Sequence, residues 1–244
     1  MHTVRTGPLL GLLATGGLLA VLSTTAGLSG AGWTAGLACG LATFLLLHRA
    51  LARHGASGLG PANRITLTRA TLVAGITALI ASSFGPRSHV GVVVGLTAVA
   101  LALDAVDGRV ARHTGTTSAL GARFDMEVDA FLILVLSVYV SRPFGAWVLA
   151  IGAARYVYVA AGWALPWLRE PVPARYWSKV VAAIQGITLT AAAARPGLAE
   201  GVAVGGALAL LAESFGHDVR WLSRRRHVAD STARPDDRKA YANG

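Results

Sequence analysis

Residues 104–129, DAVDGRVARHTGTTSALGARFDMEVD, hold five of the chain's twelve acidic side chains, and the runs on both flanks are apolar. Such flanks are the material of membrane spans, where a carboxylate without a partner costs several kcal/mol to desolvate. Taken as two helices joined near Gly115, the stretch puts Asp104 and Asp107 three residues apart and Asp125 and Asp129 four apart, so each pair shares a helix face. A hairpin brings both pairs to one depth. Protonation, cationic side chains or bound metal must then relieve the repulsion. All-oxygen ligation by carboxylates suits hard Mg²⁺, Mn²⁺ or Ca²⁺, and no His/Cys cluster points to zinc. Gly108 and Ala111 form a small-residue strip where a bulky ligand can approach the backbone, and Arg112 follows, placed to meet a phosphate. Glu127 points away from Asp125 and Asp129 on the helical period and is left out of the site.

Composition agrees with a polytopic membrane protein: 54% of residues are hydrophobic, 14% are charged and the mean hydropathy is positive. The formal net charge of +10 comes from basic residues lying mainly between the apolar runs and in the tail. Their expected partners are anionic lipid head groups and phosphorylated substrates, not nucleic acid. A single cysteine, Cys39, excludes an intrachain disulfide.

Residues 1–50 contain two expected N-terminal transmembrane helices, the first read as an uncleaved span because its apolar run exceeds that of a signal peptide. Residues 51–63 read as a basic linker, 64–222 as a six-helix core, and 223–244 as a basic, disordered tail. The fold class is therefore an all-α integral membrane protein, with a six-helix transmembrane core preceded by two additional transmembrane helices. Asn63, Thr66 and Arg69 recur at intervals of three and share the face of the first core helix where it leaves the basic loop. Arg155 lies inside an apolar span, facing a polar cavity or snorkelling to the interface. Eight spans put both termini on one side. Basic residues concentrate there, so the positive-inside rule makes that side, the acidic site included, cytoplasmic in a multi-pass cell-membrane protein.

The positions Asp104, Asp107, Gly108, Ala111, Arg112, Gly121, Asp125 and Asp129 match the pattern D-x2-D-G-x2-A-R-x8-G-x3-D-x3-D. In this the chain resembles the CDP-alcohol phosphotransferase family. Asn63, Thr66 and Arg69 resemble the P-N-x2-T-x2-R run that opens the core in many members, although Ala62 separates Pro61 from Asn63 here. The resemblance implies transfer of a phosphatidyl group from a CDP-linked lipid, typically CDP-diacylglycerol, to the hydroxyl of a small alcohol or alcohol phosphate, with release of CMP.

It further implies that Asp104, Asp107, Asp125 and Asp129 hold two Mg²⁺ or Mn²⁺ ions, with Asp129 also the general base. Gly108, Ala111, Arg112, Gly121, Asn63, Thr66 and Arg69 would lie on the CDP side, and a homodimer is expected. Arg155, Arg175 and Lys179 are the candidate acceptor contacts, forming part of a basic set on the active-site side. Two departures leave the acceptor class open: Ala130 follows the last aspartate, and Ala182 interrupts a Lys-x2-Thr-x2-Gln pattern between Lys179 and Gln185. The competing class is a divalent-cation transporter or channel with an intramembrane carboxylate site. A cation path has no need of Gly108, Ala111 and Arg112.

Overall fold

The computed structural model describes residues 6–54, 61–85, 89–114, 119–170, 172 and 176–232, with side chains described for 7–52, 63–85, 89–106, 121–170, 172 and 177–226. Among the described residues there are eight α-helices and no strand. In chain order they are α1 (Thr6–Thr25), α2 (Gly30–His54), α3 (Pro61–Ser82), α4 (Val90–Thr114), α5 (Ala119–Phe144), α6 (Leu149–Ala164), α7 (Tyr176–Ala194) and α8 (Leu198–Thr232). Five are long and apolar enough to cross a membrane, and α4 adds a shorter apolar stretch, Val90–Val106. The protein is an all-helical integral membrane protein, with α3–α8 preceded by the two helices α1 and α2.

Helix is the form such runs must take, because a helix satisfies its backbone N–H and C=O groups within the segment. Boundaries fall where local chemistry puts them. Pro61 starts α3 at the position where its missing N–H costs nothing, and Gly145, at φ 99° and ψ 165°, takes a positive-φ conformation open to glycine just after α5 ends. Two expected boundaries move. Helix α2 continues to His54, inside the linker expected at 51–63, and α8 runs to Thr232, so residues 223–232 of the tail expected to be disordered are helical. Arginine is a good helix former, and Arg225 lies over the Trp221 ring at 4.4 Å, one turn back, which supports that extension.

The third helix lies at the centre, packed against α1, α2, α4 and α5. Of its apolar span 61% is buried, against 22–28% for the other four candidate spans. Val73, Ile76 and Leu79 of α3 meet Val93 and Ala100 of α4, Leu132 and Leu136 of α5 and Leu189 of α7 in one buried cluster. Large apolar side chains such as Leu13, Val157, Trp163 and Ile187 stay exposed, as lipid-facing positions do. Since lipid offers apolar side chains as good an environment as a neighbouring helix does, association depends on close packing.

Glycines create that closeness. A Cβ on Gly152 of α6 would lie 2.5 Å from the Leu134 Cα of α5, and one on Gly32 of α2 would lie 2.7 Å from the Ala78 carbonyl oxygen of α3. Hydroxyls within the spans turn back to their own helices, as Thr77 does to the Val73 carbonyl at 2.7 Å and Thr97 to Val93 at 2.7 Å. Gly152→Leu should therefore force α5 and α6 apart and cost about 1–3 kcal/mol. Gly91→Ala, at a position with nothing within 4 Å, should be neutral or slightly stabilising. Thermal unfolding of the two variants in detergent checks the contrast.

Candidate active site

Three helices build the acidic site. Asp104 lies on the second half of α4, and Asp125 and Asp129 lie one turn apart near the start of α5, so the α4–α5 hairpin carries all three to one end of the bundle. One oxygen from each carboxylate can be chosen so that all three lie within 4.8 Å of one another. At that separation and an effective dielectric of ~20, two ionised carboxylates repel by about 3.5 kcal/mol. A positive group is required.

Helix α3 supplies one. Arg69 is 1% exposed, and its Nη1 lies 2.8 Å from Asp104 Oδ1. The same Nη1 also meets Asp125 Oδ1, and Nη2 meets Asp129 Oδ1. The three aspartates are 35–40% exposed, so the cation lies beneath them and their outer side is open. Formal charges of these four side chains sum to −2. This donor set of hard, partly exposed oxygens with residual negative charge fits a divalent cation such as Mg²⁺ or Mn²⁺.

The remaining expected residues distribute as follows. Thr66 is buried one turn before Arg69 on α3, while Asn63 and Gly121 are partly buried. Asp107, Gly108, Ala111 and Arg112 belong to α4, but their side chains lie outside those described, as does all of Arg175. Lys179 is exposed on α7. Arg155 of α6 reaches across to α5, where Nη2 pairs with Glu127 and Nη1 lies 2.9 Å from Met126 Sδ. Glu127, set aside from the sequence because it faces away from the other α5 carboxylates, thus has a partner on the next helix.

A cavity of about 220 Å³ opens beside Asp129 between α5, α6, α7 and α8. Asp129 belongs both to the carboxylate group and to the cavity wall, which also includes Arg155, Ser178, Gln185, Ser214 and Asp218. Gln185 of α7 is 1% exposed, and its Nε2 donates to the Ala207 carbonyl of α8 at 2.7 Å. Neither Ser214 nor Asp218 is marked by the sequence reading, since polar residues near a helix end resemble interfacial anchors. The signal for Gln185 is its place in an otherwise apolar span.

An all-helical membrane bundle carrying clustered carboxylates beside a partly open cavity has the makings of a lipid-modifying enzyme site. Comparison with known families is specific: the profile of the CDP-alcohol phosphatidyltransferase family matches residues 59–213, and the chain belongs to that family. It is a transferase of substituted phosphate groups in phospholipid biosynthesis, acting by phosphatidyl transfer from a CDP-alcohol, which sets aside the transporter alternative. No curated protein and no solved structure gives a significant match.

Removing the buried guanidinium with Arg69→Ala should lower stability by about 3–5 kcal/mol, since the carboxylates then lose their shared counter-charge. Adding Asp104→Asn to that variant should recover part of the loss by relieving repulsion. Thermal unfolding of the single and double variants measures the coupling.

Proposed function

We propose that this protein transfers a phosphatidyl group from CDP-diacylglycerol to the hydroxyl of a small alcohol or alcohol phosphate, releasing CMP, with Mg²⁺ or Mn²⁺ at the aspartates. The observation that carries this reading is the convergence of Asp104, Asp125 and Asp129 from two helices within 4.8 Å, open on one side, in a chain of this family. Asp107, three residues after Asp104 on α4, completes the proposed metal-ligand set. Two divalent ions held there would neutralise the pyrophosphate and stabilise charge on the departing CMP.

The protein's own groups divide the remaining work. Asp129 accepts the proton of the attacking hydroxyl, whose oxygen forms the new bond to the phosphatidyl phosphorus. The bond from that phosphorus to the bridging oxygen breaks, and the bridging oxygen leaves with CMP. Arg69 holds Asp125 and Asp129 in place from below. Gly108, Ala111, Arg112, Gly121, Asn63 and Thr66 are assigned to the CDP side. Arg69, which orients the carboxylates, is assigned to the same side. The acceptor is assigned to the cavity beside Asp129, which Arg155 also lines, and Arg175 and Lys179 are proposed as further acceptor contacts. The concentration of basic residues at the acidic end supports a cytoplasmic active site and cytoplasmic termini in the cell membrane, and the family resemblance supports a homodimer.

Purified protein given CDP-diacylglycerol, Mg²⁺ or Mn²⁺ and an acceptor alcohol should release CMP. Chelation should abolish release and either ion should restore it. Asp129→Asn should lower turnover by roughly 10²–10⁴-fold while CDP-lipid binding persists. Undiminished turnover in that variant would remove Asp129 from the role of base.

A further inference from the structure

Two residues that line the cavity beside Asp129 each carry a buried polar atom that no described group satisfies. Gln185 spends its amide N–H on the Ala207 carbonyl at 2.7 Å, which fixes the orientation of the amide, and its Oε1 has no hydrogen-bond partner. Arg155 directs its terminal nitrogens to Glu127 and the Met126 sulfur, and its buried Nε–H has no acceptor. Both residues line the same cavity. Buried polar atoms are almost always paired, so an unmatched acceptor and an unmatched donor in one cavity mark a place for a ligand that offers both. A hydroxyl group donates and accepts.

Charge in the wall argues against a phosphate. Arg155 is the one cation among the described lining residues, and Glu127 neutralises it. Asp129 and Asp218 are carboxylates of the same lining, and the exposed Lys179 lies outside it. A phosphate ester entering here would bring charge to a wall whose described residues include no uncommitted cation to receive it. An ammonium would satisfy Gln185 Oε1 but leave the Arg155 Nε–H unmatched. Ile133, Ile151, Val181, Leu211 and Phe215 supply apolar surface for a carbon skeleton.

We propose that the acceptor is an uncharged polyol, whose reacting hydroxyl faces Asp129 while a second hydroxyl is held by Gln185 Oε1 and Arg155 Nε–H. Gln185 is then an acceptor-binding residue, and the Arg155–Glu127 pair sets discrimination against phosphorylated acceptors. The proposal rests on the phosphatidyl-transfer reading above.

CMP release from CDP-diacylglycerol tests it, with glycerol and inositol as neutral acceptors, their phosphate monoesters, and ethanolamine as the ammonium-bearing alcohol. At least one polyol should exceed its phosphate ester and ethanolamine in kcat/KM by roughly tenfold or more, the scale of one unmatched buried polar group. Gln185→Leu should raise the KM for that polyol by a similar factor with less change in kcat. Glu127→Gln, which releases the Arg155 charge, should shift preference toward the phosphate ester and still applies if the Gln185 variant does not fold. Equal or better use of a phosphate ester or of ethanolamine by the unaltered protein overturns the polyol proposal and leaves phosphatidyl transfer standing. Unchanged preference in Glu127→Gln removes that pair from specificity. Absence of CMP release with every acceptor, together with absent metal-dependent CDP-lipid binding, overturns both readings.

Discussion

The contact on which the bundle most depends is that between Arg69 and the three aspartates. It ties α3 to both arms of the α4–α5 hairpin, and it places a fully buried cation under carboxylates that retain an open outer side. A planar guanidinium suits this position because its fork can meet several carboxylate oxygens at once, whereas an ammonium acts as a compact point charge. The arrangement also explains why α3 is the most enclosed helix: its polar end must reach the acidic cluster while its apolar length passes through the middle of the core. Stability and chemistry are joined at this point. The same carboxylates that need Arg69 for compensation have residual charge and oxygen donors to offer a divalent ion.

Around that centre the membrane sets the terms. Glycines bring backbones together at Gly32 and Gly152, and hydroxyls such as those of Thr77 and Thr97 bond back to their own helices. Cross-helix polar contacts include structural ones, such as Trp33 to Ser23 and Trp177 to Glu213, as well as those at the acidic site. Asp129 links two such regions, the carboxylate group between α3, α4 and α5 and the cavity between α5, α6, α7 and α8. In the proposed reaction, a proton acceptor shared in this way would serve a nucleophile from one side and a phosphoryl donor from the other.

Membrane class and the Asp104, Asp125 and Asp129 cluster were legible in the linear chain because both depend on local order. Span length follows from residue count, and the face a side chain occupies follows from the helical period. What the chain alone left undecided was the partner of each charge. Arg69, expected on the nucleotide side, meets carboxylates 56 and 60 residues away, and Arg155 finds Glu127 28 residues away. The extension of α8 to Thr232 was likewise hidden, since a polar composition after a span fits either a helix or a coil. Local periodicity by itself determined which residues face together within each helix. Only the packing of one helix against another decided which opposite charges meet, because charge pairing in a low-dielectric interior depends on separations of a few ångströms across elements that are distant in the chain.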